Sequence, residues 1–377
     1  MPPLTIDRVD LLIVEMSLVR SFTTSEAKRS TLRHIIVKAY ADGLVGWGES
    51  ATPVDPYYCE ETTETGWHIL EQFLVPSVLG KPFASAAELR ACYAKVKRHN
   101  FAKAGLEMAA WDLLARAQDL PLHALVGGTR SEVLSGVSLG IEPRIDDLFR
   151  NIDQYLDEGY RRIKLKIAPG RDVDYVRQVR ERYPDVPLMA DANSAYRLSD
   201  LPTLQQLDAF DLMMIEQPLA HDDIVDHARL QAGLKTAVCL DESIHSAEDA
   251  RKALDLASGR IINIKVSRVG GLDEARRIHD LCQARGVPVW CGGMHEYGIG
   301  RAANVAISTL PGFTLPGDVS GSDKYYAEDI VDPPILATRG AITTPKGPGL
   351  GWEPNEARLS RLVVRQQTLS TIAQGRP

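Results

Sequence analysis

The chain has 377 residues, 44% of them hydrophobic and 25% charged, with a net charge of −7 and a pI near 5.8. That length and balance suit a large folded domain with a smaller companion and exclude a disordered chain, while an acidic charge without a long basic cluster argues against a nucleic-acid or membrane-surface role. Five scattered cysteines with no C-x-x-C pair point to a reducing cytoplasm rather than a disulfide framework or thiolate zinc site, and no apolar run approaches the length of a membrane span.

In chain order, LTIDRVDLLIVEM, TLRHIIVKAYA and LVGWGES read as antiparallel strands, followed by helical stretches through GWHILEQFLVPSVLG and KAGLEMAAWDLLARAQ. Residues 1–127 are therefore expected to form an α+β domain. From residue 136 the rhythm changes. Short apolar runs begin at 136 (GVSLGI), 162 (RIKLKI), 188 (LMADAN), 212 (LMMIEQ), 238 (VCLDES), 261 (IINIKV), 288 (PVWCGG) and 314 (TLPGD), at intervals of 23 to 27 residues. Amphipathic patterns such as DDLFRNIDQYLDEG, VDYVRQVRERY, SAEDARKALDLAS and LDEARRIHDLCQARG lie between them, several closed by Gly as helices commonly are.

Eight strands separated by helices predict a parallel barrel of right-handed βαβ units over 128–320. After TLPGD the text turns to loop chemistry (GSDKYYAEDIVDPP), so the last helix is expected to be missing or replaced. The fold class is α/β, a (β/α)7β modified TIM barrel with an α+β capping domain. The segment 321–377, with its Pro and Gly clusters and one strand-like stretch, is expected to pack back on the first domain.

The barrel strands end in charge. RIKLKI alternates Lys164 and Lys166 with Ile163, Leu165 and Ile167, so both ammonium groups fall on one face. The following strands offer Asp191 and Asn193 (ADAN), Glu216 (IEQP), Asp241 and Glu242 (LDES) and Lys265 (NIKV). Asp191, Glu216 and Asp241 recur at steps of 25 residues, which predicts three carboxylates side by side at one height. Each could simply cap the following helix; three in register, flanked by lysines, call for a hard divalent cation. All-oxygen ligation fits Mg2+, with Mn2+ as a substitute.

Lys166 precedes the acids by one strand and Lys265 follows them by one, so the two amines should face each other across the metal. Lys164, the cation and desolvation together are expected to lower the pKa of Lys166 toward a useful range. HDDIVDH at 221–227 carries metal-ligand residue types, but its position at a helix start favours an exposed, dipole-complementing role. The five tryptophans read as core.

These motifs (KxK at 164–166, DAN at 191–193, IEQP at 215–218, DES at 241–243 and IKVSRVGG at 264–271, with LEMAAWDL at 106–113) resemble the muconate-lactonizing group of the enolase superfamily. Within it, GVSLGIE, YRRIKLKIAPG, DANSAY, EQPLA, CLDES, KVSRVGG, VWCGGM and LPGD are most similar to the o-succinylbenzoate synthases and N-succinyl (N-acyl) amino acid racemases. The resemblance implies Mg2+ on Asp191, Glu216 and Asp241, and an acid/base pair in Lys166 and Lys265 that acts α to a carboxylate. It places Ser138, Lys164, Asn193, Glu242, Arg268, Gly293, Met294 and His295 around the substrate, a small-molecule carboxylate, and implies a homo-oligomer.

Racemase and synthase both remain open on this reading, as do a dipeptide epimerase or an acid-sugar dehydratase. The dipeptide epimerases carry paired acids on the eighth strand, where PGDVSGSD offers only Asp318. Two departures from the subfamily pattern, His295-Glu296-Tyr297 after VWCGGM and Pro53 after GWGES, fall in regions that line the substrate pocket of such enzymes. His295 is expected to contact substrate or pack rather than act as base.

Overall fold

The structure, a computed structural model, describes residues 2–23 and 28–371. Three strands, β1 (Leu4–Thr23), β2 (Lys28–Ala41) and β3 (Leu44–Ser50), form an antiparallel meander, and the last strand, Val363–Ser370, pairs with the free edge of β1. The β2–β3 hairpin turns on Asp42-Gly43, both at positive φ, as a two-residue connection between right-twisted strands requires. Ile35, Ile36 and Val37 of β2 are all fully buried, so this sheet is covered on both faces.

Helix α1 (Asn100–Ala117) packs on the meander and is buried almost all round, which explains its apolar and small-residue composition. A Cβ on Gly48 would lie 1.9 Å from the Gly105 carbonyl oxygen, so glycine here is what lets strand and helix meet.

The second half is a seven-stranded parallel sheet in sequential order: β4 (Val137–Leu139), β5 (Ile163–Lys166), β6 (Leu188–Asp191), β7 (Ile215–Glu216), β8 (Val238–Leu240), β9 (Ile261–Ile264) and β10 (Val289–Cys291). Helices follow most strands, among them Ile145–Asp157, Val173–Arg182, Ala247–Asp255, α2 (Leu272–Ala284) and α3 (Gly298–Ser308). Each of the four amphipathic patterns quoted above forms a helix.

The eighth segment differs from expectation. TLPGD forms no regular strand; the sheet is closed by isolated parallel bridges, Val289 to Phe313 on one side and Ser135 to Gly317 on the other. Amide hydrogen bonds from Gly136 to Gly317 (2.7 Å) and from Asp318 to Cys291 (2.8 Å) complete the seam. Pro316 lacks an amide hydrogen and Gly317 lacks a side chain to pack, and together they favour this irregular closure. Where the eighth barrel helix would begin there is a 3-10 turn at Ser322–Lys324.

Period two sorts the barrel interior into layers. Met189, Met214 and Cys239, each two residues before one of the acids Asp191, Glu216 and Asp241, form a buried apolar cluster with Ile261 and Trp290. Above this floor stand the charged residues.

Candidate active site

Lys164 and Lys166 both point into the barrel and are 3% and 7% exposed. Buried amines are costly without partners, and here acids meet them. Lys166 donates to Asp191 Oδ2 (2.6 Å) and to Asn193 Oδ1 (2.5 Å). Lys164 lies 3.1 Å from Asp191 Oδ2, 3.0 Å from Glu216 Oε2 and 2.6 Å from Asp318 Oδ2. Across the barrel Lys265 pairs with Asp241 Oδ2 (2.7 Å) and donates to the Tyr58 hydroxyl (3.0 Å), with its ammonium 4.7 Å from that ring's centre.

The strand register delivers these groups unevenly. Lys166, Asp191 and Glu216 are direct neighbours across β5, β6 and β7, but Glu216 pairs with Cys239, so Asp241 stands two residues further along its strand. The equal sequence steps therefore do not put the three acids at one height; the stagger of a closed barrel moves the third outward while keeping it on the inner face. Among the described residues no three His, Cys, Asp or Glu side chains are gathered into a metal centre. The lysines engage Asp191 and Glu216 directly.

The donors nevertheless suit a hard cation. All are carboxylates, at most 1% exposed, and the two oxygens of Asp241 meet only the cations Lys265 and Arg268. Beside them Glu242 Oε2 has no hydrogen-bond partner. A buried carboxylate oxygen without a donor is expensive, and a divalent ion is a group that relieves it.

Charge balance sets the protonation states. Burial opposes the charge on Lys164, but Asp318, Glu216 and Asp191 outweigh it and hold the amine above the ordinary lysine range. Lys164 is thus a charged ammonium facing three acids. Burial also works against Lys265, whose pKa is carried upward by Tyr58, Glu242 and Glu216. Burial opposes ionisation of Asp191, yet Lys166 and Lys164 bring it below the carboxylate range. Burial pushes Glu242 up to about 6, against the pull of Lys265.

A cleft opens above this layer. Of the residues expected around the substrate, Ser138, Lys164, Asn193, Gly293, Met294 and His295 line it, together with Lys166, Lys265 and Asp191. Glu242 and Arg268 do not. Glu242 accepts from Asn193 Nδ2 (2.9 Å), and Arg268, 2% exposed, pairs with Asp241 and donates to the carbonyls of Ile244 and Asn263. The His295 ring leans on Tyr325, and burial lowers its pKa well below the usual value. Pro53 lines the cleft, whereas the Tyr297 hydroxyl is buried against the Val14 and Leu32 carbonyls.

Several residues went unread in the sequence. Arg162, 1% exposed, bonds Asp318 Oδ1 (2.8 Å), and both Arg162 and Lys164 lie over the Trp290 ring. The signal was available, because 162, 164 and 166 share one face. Asn263, two before Lys265, donates to Glu216 Oε1 (2.7 Å) on the same logic. Tyr58 and Arg29 reach the cleft from the capping domain, which no periodicity discloses. The HDDIVDH segment is only partly exposed: His227 is fully buried, accepting from the Leu219 amide at Nε2 and bonding the Asp223 carbonyl at Nδ1, so its imidazole closes a loop.

Comparison with known proteins shows the family. Residues 8–127 match the family model for the mandelate racemase / muconate lactonizing enzyme N-terminal domain, and residues 147–358 match the enolase C-terminal domain-like model. An o-succinylbenzoate synthase of Geobacillus kaustophilus is 55% identical over 95% of this chain and 96% of its own. An N-succinylamino acid racemase of Thermus thermophilus is 44% identical over 97% of this chain and 99% of its own. The crystal structure of an enolase-superfamily member from Listeria innocua superposes with a TM-score of 0.95 at 36% identity, covering 97% of this chain and 99% of that one. Enzymes of this superfamily are generally Mg2+-dependent, and among the described residues no helix is long and apolar enough to cross a membrane. The chain belongs to the enolase superfamily, within its mandelate racemase / muconate lactonizing group.

Proposed function

We propose that the enzyme removes a proton α to a carboxylate and acts as an N-succinyl (N-acyl) amino acid racemase, an o-succinylbenzoate synthase, or both. The observation that carries this reading is the placement of Lys166 and Lys265. Lys166 ends the second strand and Lys265 directly follows the sixth strand of an eight-membered barrel, four strands apart and hence on opposite walls, and both line one cleft. The intervening strands carry Asp191, Glu216 and Asp241, which would hold the Mg2+ ion. Bound there, the cation supplies a fixed positive charge to the substrate carboxylate as negative charge develops on it.

The chain's own residues do the proton transfer. For racemisation one lysine, as the free amine, takes the Cα proton, and the opposite ammonium returns a proton to the other face. For dehydration Lys166 takes the proton and delivers it to the departing hydroxyl, so that water leaves as the carbon–carbon double bond forms, while the Lys265 ammonium steadies the enolate. Asp191 and Asn193 orient Lys166; Asp241 and Tyr58 orient Lys265. The apolar floor excludes water from below. Asp318 is held by Arg162 and Lys164, which leaves it poorly placed to grip a dipeptide's amine.

The test is incubation of the Mg2+-loaded enzyme with each enantiomer of an N-succinyl amino acid in deuterated water, following Cα exchange by NMR. Wild type exchanges both enantiomers; Lys166→Ala loses one and Lys265→Ala loses the other. Absence of exchange with any N-acyl amino acid, together with no dehydration activity, removes this assignment.

A further inference from the structure

The LEMAAWDL stretch, expected as helix and as a family mark, holds a fully buried carboxylate. Glu107 lies inside α1, and its two oxygens accept the amides of Leu272 (2.5 Å) and Asp273 (3.1 Å), the first two residues of α2. Those amides have no partner within their own helix, and no side chain of the adjoining turn caps them. A carboxylate from the capping domain therefore caps a helix of the barrel.

Two glycines permit the approach. A Cβ on Gly271 would stand 1.8 Å from Glu107 Oε2, and one on Gly270 would meet Asn100 Oδ1 at 3.3 Å. Asn100, two turns before Glu107 on α1, donates to the Arg268 carbonyl (2.9 Å) and the His245 carbonyl (3.2 Å). So the VGG of IKVSRVGG is the footprint of α1.

Between these anchors lies one short turn. Lys265 is the residue that opens it, Arg268 sits within it, and Gly271 ends it. From the capping helix, Asn100 holds its middle and Glu107 holds its far end. We infer that Glu107 and Asn100 are positioning residues for Lys265, through which the capping domain fixes the direction of one of the two bases. Among the described residues Lys166, on the opposite wall, has no such tether: its hydrogen-bond partners are Asp191 and Asn193.

The inference rests on the two-base reading above and makes a stereochemical prediction. Glu107→Gln keeps the shape but offers one acceptor oxygen where two amides need one each, and turns an N–H donor toward the other amide. A sub-ångström drift of the turn misaims Lys265, and misplacement by about 1 Å costs on the order of a hundredfold in rate. With the Mg2+-loaded enzyme and both N-succinyl enantiomers, Glu107→Gln is expected to slow exchange of the Lys265-dependent enantiomer by roughly tenfold or more, with less than about a twofold change in the other. Asn100→Ala, a milder change that keeps the cap, is expected to shift the ratio the same way.

Equal losses on both faces in these variants, or no loss in either, overturn the inference while leaving the two-base reading intact. A wild type that exchanges neither enantiomer defeats that reading itself, and this inference with it. Should Glu107→Gln fail to fold, the exchange ratio in Asn100→Ala decides.

Discussion

Asp318→Asn tests whether the buried charges on the eighth segment hold the barrel together. The Asp318 side chain is 11% exposed and bridges Lys164 (2.6 Å) and Arg162 (2.8 Å), which are 3% and 1% exposed. Burial opposes ionisation, but Lys164 and Arg162 hold its pKa well below the usual carboxylate range. At an effective dielectric near 20 each contact carries a gross attraction of roughly 6 kcal/mol, most of which offsets the cost of taking three ions out of water. Asparagine keeps the shape and loses the charge. Two buried cations then share an amide whose nitrogen repels one of them, and breaking such a pair costs about 3–5 kcal/mol. For a chain of 377 residues unfolding entropy is roughly 0.8 kcal/mol per degree, so melting should fall by about 4–6 °C. Calorimetry of the purified protein, with and without Mg2+, reads this directly. Combining Asp318→Asn with Arg162→Met should recover part of the loss, because one unpaired cation goes with the arginine. A fall of less than about 1 °C, or strictly additive losses in the double variant, would refute the reasoning.

Other expectations follow from the same geometry. Mg2+ at about a hundred times its dissociation constant should add roughly 2.7 kcal/mol of stability, reversed by a chelator, and Asp241→Asn should abolish the effect; an unchanged melt on chelation contradicts the ligand assignment. A Cβ on Gly292 would lie 2.4 Å from Asn263 Oδ1 and 2.8 Å from Lys265 Cε, so Gly292→Ala should lower both kcat and melting temperature, by about 1–3 kcal/mol in stability, as read by steady-state kinetics and a thermal melt. Glu61, which accepts the amides of Phe101 and Ala102, is pushed by burial up to about 7. The unfolded chain releases that proton near pH 4.3 and the folded one holds it until about 7, so rising pH through this window destabilises the fold. Denaturant titrations at pH 4.5 and 7 should show wild type losing roughly 3 kcal/mol relative to Glu61→Gln; parallel pH profiles for the two proteins would contradict this.

The barrel was legible because its helices and strands repeat at a fixed interval and its strand ends are charged against expectation. Period two assigned Lys164 and Lys166 to the interior, and the same rule, extended one step back, would have found Arg162 and Asn263. What the pattern could not disclose was stagger. Asp241 stands two residues beyond Glu216's neighbour because strands in a closed barrel are sheared, a property of the whole ring. Nor could it disclose approach between domains. Tyr58 beside Lys265 and Glu107 beneath Gly271 arise from segments far apart in the chain, so only the folded molecule joins them. The eighth segment was expected as a strand from its apolar start, and Pro316-Gly317 is what breaks it.

That broken ladder has an evolutionary corollary. Where the other seven staves of the barrel are stitched by backbone amides, the eighth is riveted in part by Asp318 to Arg162 and Lys164. A change of specificity at this position would loosen the wall as well as alter the chamber. New activities on this scaffold should therefore arise at the cleft's other walls first, and reach residue 318 only after a second fastener has appeared.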